Sequence, residues 1–396
     1  MNKKISVGLS LSLIILAVTA TFALTMVFSR QIYNRIISNI SQRSHTYEAA
    51  EEINKIISNN FYGDLREYNN NLGSYLAEGY VKSLNDPNSV YMNASEYAEY
   101  NALLEQGQTG VGIDTAYDYT DGRLKITRVY AGSPAEAEGL QVGDVITAVN
   151  NEAVNRSSFV LLQKSFYGSK LQTVKIEYLR NDETKTAEPM LGFVIPSVTG
   201  SVEGTVGYAR ITRFYKNTAD ELRSVLENFK SLDAEGVVID LRSTSEGTIK
   251  YAADALDVIL PGSADCIALA KYNNDEVTTF TPESSSFNFN FAVLIDSQTS
   301  GPAELFAADM RALKQAQLIG TVTAGVGTMQ SVYNLDNGGA LLLTVALIIP
   351  AGDESFVYDG VGISPTIEVE SDYSQSVLLD SAQDAPLRKA FSLLAQ

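Results

Sequence analysis

Residues 296–330 read DSQTSGPAELFAADMRALKQAQLIGTVTAGVGTMQ, from Asp296 to Gln330. The stretch follows an apolar run and opens on a polar turn. Its pattern predicts a helix beginning near Pro302, a residue suited to a first helical position. A second short strand and a Gly-rich loop, Thr323 to Gly327, come next. Upstream, Gly236-Val237-Val238-Ile239-Asp240-Leu241-Arg242 is a continuous apolar strand preceded by a helical stretch around Ala219 to Phe229. Strands alternating with helices predict an α/β sheet whose strands are buried on both faces.

The 296–330 stretch resembles the carboxy-terminal processing (tail-specific) serine peptidases, whose segment has the form N-x-x-S-A-S-A-x-E … G-x-x-T-x-G-K-G-x-x-Q. Glu304 fixes the register at one end, and Thr323, Gly325, Gly327 and Gln330 fix it at the other. The resemblance implies a Ser nucleophile and a Lys general base at positions that here hold Gly301 and Val326. Gly301 offers no side-chain atom and Val326 no lone pair, whereas a serine peptidase needs a hydroxyl and a base to deprotonate it. Loss of the nucleophile costs on the order of a millionfold in turnover. Substrate binding and an oxyanion-hole backbone are expected to survive, because they depend on fold. Pro302 directly after Gly301 suggests an altered turn. A relocated dyad, Ser300 with Lys250 or Lys314, is the alternative. A one-residue shift aims a hydroxyl to the other side of an extended segment.

Other reactive sets are scarce. The only His is His45, read as a solvated linker residue, and the only Cys is Cys266, read as a buried structural thiol. No Cys/His cluster has metal-ligand spacing, so neither metal nor cofactor is expected. The formal net charge of −18 argues against nucleic-acid binding.

Gly110 to about Glu188 resembles a PDZ domain, with Ser133-Pro134-Ala135, Gly139-Leu140 and Gly143-Asp144-Val145-Ile146 at the signature spacing. The resemblance places a carboxylate-binding turn at Gly110-Val111-Gly112-Ile113, ahead of a strand that accepts an extended peptide by sheet addition. A helix from Ser157 to Phe166 would line the groove. Phe159, Leu162 and Phe166 either contact the ligand or fill the core. Asp240-Leu241-Arg242 matches the D-L-R that leads into the peptidases' N-N-P-G-G loop. Ser245 and Glu246 replace the Pro and first Gly of that loop, and Gly247 is kept. Glu246 faces either the cleft or solvent.

Val7 to Phe28 lacks charge and, as a helix of about 22 residues, reaches about 33 Å, enough for one membrane crossing. A cleaved signal segment ending near Val18-Thr19-Ala20 is the rival reading. The expected organisation is therefore a multidomain chain. It comprises an N-terminal tail and transmembrane helix (1–30), a helical segment (31–105), a β-rich PDZ domain (106–190) and an α/β peptidase-like core (195–385). The expected protein is membrane-anchored and single-pass, with its bulk extracytoplasmic. It would be a pseudopeptidase that binds a polypeptide or protein C-terminus, or alternatively an active endopeptidase or an envelope docking protein, with homo- or hetero-oligomers open.

Overall fold

The computed structural model describes residues 48–118, 123–168, 172–260, 267–274, 276–281, 287–351, 357–370 and 384–395. The apolar run Val7–Phe28, His45 and Cys266 lie outside the described residues. Among the described residues no helix is long and apolar enough to cross a membrane.

The chain divides into two compact units, residues 1–76 and 77–396. In the first, residues 48–60 form a helix, and the helix Arg66–Lys82 runs across the boundary. Ala94–Gln106 follows, capped by Asn93, whose side chain accepts from the Ser95 and Glu96 amides. Among the described residues, 48–106 are largely helical, with one addition. Asp86 accepts from the Asn88 amide at 3.0 Å, and the turn it makes launches a short strand, Val90–Met92. That strand pairs antiparallel with Ala340–Leu342.

An antiparallel sheet occupies residues 113–187. Its order is Ile113–Asp118, Arg123–Val129, Val145–Val149, Ile176–Arg180, Glu183–Ala187, with Glu152–Ala153 added beside Val145–Val149. Leu124 and Ile126 alternate with exposed or half-buried neighbours, the period of two that puts one face inward. They join Val111, Ile113, Ile146 and Ile176 in one apolar cluster. The Gly143-Asp144 pair has a definite role here. Gly143 turns at φ 91°, and buried Asp144 accepts from the Gln141 amide at 2.8 Å and from Arg180 Nη2 at 2.7 Å.

The second sheet is the α/β layer. Its order is Val198–Glu203, Val206–Ile211, Gly236–Asp240, Asn290–Ile295, Gln317–Gly320, Ile367–Glu368. Only the first pairing is antiparallel. Every residue of Gly236–Asp240 is buried, because helices cover both faces. Thr218–Ser231, Ile249–Ile259 and Pro302–Lys314 pack on one face, and Ala385–Leu394 on the other. A further antiparallel sheet contains Ala340–Pro350 paired with Thr328–Asn334 and with Ala268–Tyr272.

The carboxyl end of Gly236–Asp240 carries a buried ionic cluster. Burial opposes charge on Asp240, but Arg210 and Arg242 hold its carboxyl well below the usual carboxylate range. Arg242 also grips Asp384, which caps the last helix. The D-L-R motif therefore ties the sheet to its rear helix. It leaves the loops after residues 241, 295 and 320 to converge at the carboxyl ends of three adjacent parallel strands, the place where open α/β sheets bind ligands.

Candidate functional site

The strand Asn290–Ile295 ends at buried Asp296, whose Oδ1 accepts from the amides of Ser243, Gln298 and Thr299 at 2.9, 3.0 and 2.9 Å. Thr299 Oγ1 donates to the Leu241 carbonyl at 3.0 Å, and the Ser300 amide donates to the Thr244 carbonyl at 3.0 Å. Two loops are thus laced together before the chain turns at Gly301. There φ is 58° and ψ −113°, a conformation strained for any residue with a Cβ. A Cβ built at Gly301 meets nothing within 4 Å, so the position opens onto free space.

Glu304, one turn into the helix Pro302–Lys314, is fully buried. Its Oε2 accepts from the Gly301 amide at 2.9 Å and from the Val326 amide at 2.7 Å. Its Oε1 accepts from the Gly325 amide at 2.7 Å and from Thr323 Oγ1. Thr323 in turn accepts from the Ile363 amide at 2.7 Å. One carboxylate oxygen therefore holds the amides of Gly301 and Val326 side by side. Gly325 is sterically required, since a Cβ there would lie 2.8 Å from the Gly362 nitrogen. In the sequence Glu304 and Thr323 serve only as register marks, because the clamp they form joins residues 19 apart and leaves no local signal.

The residue after a nucleophile commonly supplies one of the donating amides, and here that residue is Pro302, which has no N–H. The Gly301 amide is itself committed to Glu304. In the neighbouring loop Gly247 is kept by sterics, because a Cβ would sit 2.1 Å from the Phe214 carbonyl oxygen. The Glu246 side chain is exposed and accepts from Tyr215 Oη at 2.8 Å.

Neither candidate lysine meets Ser300. Lys250 is exposed and bonds Asp254 at 2.7 Å. Lys314, at the far end of its helix, donates to the Phe287 carbonyl at 3.0 Å. Ser300 itself is half-buried. Gln330 lies in the strand Thr328–Asn334, its amide donating to Thr328 and Thr344 hydroxyls at 2.9 and 3.3 Å. Among the described residues no group of three or more His, Cys, Asp or Glu is placed to hold a metal ion.

The second site element is the edge strand Ile113–Asp118, which among the described residues pairs on one side only, with Arg123–Val129. The turn before it needs its glycines. A Cβ on Gly110 would lie 2.4 Å from the Phe166 carbonyl oxygen, and one on Gly112 would lie 2.2 Å from Ser133 Cβ. The side chains of Val111 and Ile113 are buried in the domain's core, and the Val111 amide donates to the Phe166 carbonyl at 2.9 Å. The helix is shorter than expected, Phe159–Lys164. Leu162 and Phe166 belong to the core, which corrects their candidacy as groove contacts. Phe159 is half-buried and stacks on Tyr117, ring centroids 4.1 Å apart. Gln163 reaches across to Thr115, donating to its carbonyl at 3.2 Å and hydroxyl at 2.9 Å. Tyr117 and Gln163 were not foreseen, because the short helix has no periodicity long enough to reveal its outward face.

Residues 205–369 match the model of peptidase family S41, and residues 107–190 match that of a PDZ domain. The chain is 25% identical over 364 residues to a protein of Staphylococcus haemolyticus named "Probable CtpA-like serine protease", covering 91% of this chain and 72% of that protein. It is 26% identical over 308 residues to carboxy-terminal processing protease CtpA of Bacillus subtilis, covering 77% and 65% respectively. A crystal structure of an S41 protease candidate from Bacteroides fragilis superposes with a TM-score of 0.60 at 20% identity, covering 80% of this chain and 90% of that one. At that identity the likeness establishes the fold.

Proposed function

Because the chain joins a PDZ domain to a core of peptidase family S41, and so stands with the C-terminal processing proteases, we propose that it binds peptide segments or protein C-termini without cleaving them. One observation carries this reading. Glu304 Oε2 receives the amides of both Gly301 and Val326, so the two positions where the chemistry belongs are side by side and carry no reactive atom. Pro302 points the same way, since it lacks a donor where oxyanion charge would develop.

Binding uses what remains. An extended peptide adds to Ile113–Asp118 and supplies main-chain hydrogen bonds, after Gln163 has left the Thr115 carbonyl. We extend the proposal to location: the uncharged run Val7–Phe28 anchors the protein in a membrane, with the two domains on the extracytoplasmic side.

The test is to incubate the purified chain with a serine-directed fluorophosphonate probe and with an unfolded protein substrate. The expected result is neither labelling nor fragments. Labelling that disappears in Ser300→Ala would establish the relocated nucleophile instead.

A further inference from the structure

The groove beside the edge strand Ile113–Asp118 is spanned by the protein's own side chains. Thr115 and Tyr117 fall on one face of that strand, since successive side chains alternate. The helix Phe159–Lys164 meets this face twice. Gln163 Nε2 donates to the Thr115 carbonyl at 3.2 Å and to its hydroxyl at 2.9 Å. One turn earlier on the helix, Phe159 stacks on Tyr117, with ring centroids 4.1 Å apart and planes 14° from parallel. Positions i and i+4 are neighbours on a helix face, so the two contacts form one row. Both rings are half-buried, and Tyr117 packs against the domain's core from outside.

These contacts are the kind that a bound strand would make. An added strand offers N–H groups to the edge's outward carbonyls, and the Gln163 side-chain amide already serves the Thr115 carbonyl as such a donor. An added strand also lays alternate side chains beside those of the edge strand. The Phe159 ring already covers Tyr117 in that manner. A peptide entering the groove displaces both. Its backbone replaces the Gln163 bond with one of the same type. Only a ring replaces Phe159 on Tyr117 like for like, because stacked aromatic pairs gain more than their buried area supplies. An aliphatic side chain restores the area and not the stacking.

We infer that the groove selects extended peptides carrying an aromatic side chain that takes the place of Phe159 on Tyr117, which makes Tyr117 the specificity-determining residue. The inference rests on the peptide-binding reading above and deepens it by naming the chemistry of the ligand.

The experiment uses the full chain and pools of fluorescein-labelled octapeptides with free C-termini, randomised at every position but one. That position, moved along the peptide in turn, holds Phe, cyclohexylalanine or Ala. Cyclohexylalanine matches Phe in size and lacks its π-system, so the ratio of the two affinities in anisotropy titration isolates stacking. For the wild type one position favours Phe over cyclohexylalanine by about twofold to tenfold, the worth of an aromatic pair beyond its area. Tyr117→Leu keeps an apolar contact with the core and brings that ratio close to one, while the Ala pool still binds. Phe159→Ala removes the internal competitor, so every pool binds tighter and the preference for Phe remains. A wild type indifferent to the ring at every position overturns the inference and leaves peptide binding standing. So does a Tyr117→Leu chain that keeps the preference, or a Phe159→Ala chain that loses it. Failure of the wild type to bind any pool overturns both.

Discussion

The turn at Gly110–Ile113 and the turn at Gly301 are built by the same means and have different fates. Each depends on glycine where backbone approaches too closely for a Cβ, at Gly110 and Gly112 in one and at Gly325 beside the other. Each is braced by neighbouring elements. Recognition of an extended peptide draws on backbone and shape, so the first turn can lose side chains and still work. Hydrolysis by a serine peptidase draws on one hydroxyl and one base, and neither Gly301 nor Val326 carries such a group. On the proposed reading, a preserved backbone supports binding and does not by itself support chemistry.

The sharpest way to break this comparison is to rebuild the second turn. Gly301→Ser with Val326→Lys restores the missing atoms but leaves Pro302 without its N–H, and only weak hydrolysis of an unfolded protein is expected. Adding Pro302→Ala raises turnover by about 10²–10³-fold, the usual worth of an oxyanion donor. Equal rates for the double and triple variants would remove Pro302 from the account.

Stability of the cleft gives the next effect. Glu304→Ala strands three buried amides and the Thr323 hydroxyl, and should lower unfolding free energy in urea by at least about 3 kcal/mol. Glu304→Gln should cost less, because it keeps one acceptor oxygen. Asp309, on the same helix, is the contrasting acid. It is buried with a single donor among the described residues, the Ala351 amide at 2.8 Å, and burial pushes its carboxyl well above the usual range. A raised acid contributes stability at low pH that is lost as pH climbs above about 4, the unfolded value. Asp309→Asn should therefore stabilise the protein at pH 7, with the gain vanishing near pH 4. A gain independent of pH would contradict the burial argument.

The smallest effect concerns the first turn's groove. Gln163→Ala frees the Thr115 carbonyl for a ligand and should raise peptide affinity by roughly threefold to tenfold, the worth of one neutral hydrogen bond. Unchanged affinity would mean that Gln163 stays in place when peptide binds.

Much of this architecture was legible in residue order, for physical reasons. The strand Gly236–Asp240 shows itself as an unbroken apolar run because both its faces are covered. Pro302 marks the start of its helix because a first-turn residue needs no N–H. The glycines of the PDZ turn signal close backbone approach. What was hidden is contact between distant segments. Nothing local ties Glu304 to Val326 or Gln163 to Thr115. Leu162 illustrates the remaining ambiguity: in a helix of six residues, core and groove positions have no distinct period.

Binding without cleavage is read by following one peptide through binding and recovery. A labelled peptide that saturates the wild-type chain in anisotropy is left bound for many hours and then read by mass spectrometry. The peptide should be recovered at its full mass. Fragments formed by the wild type and absent with Ser300→Ala would contradict it.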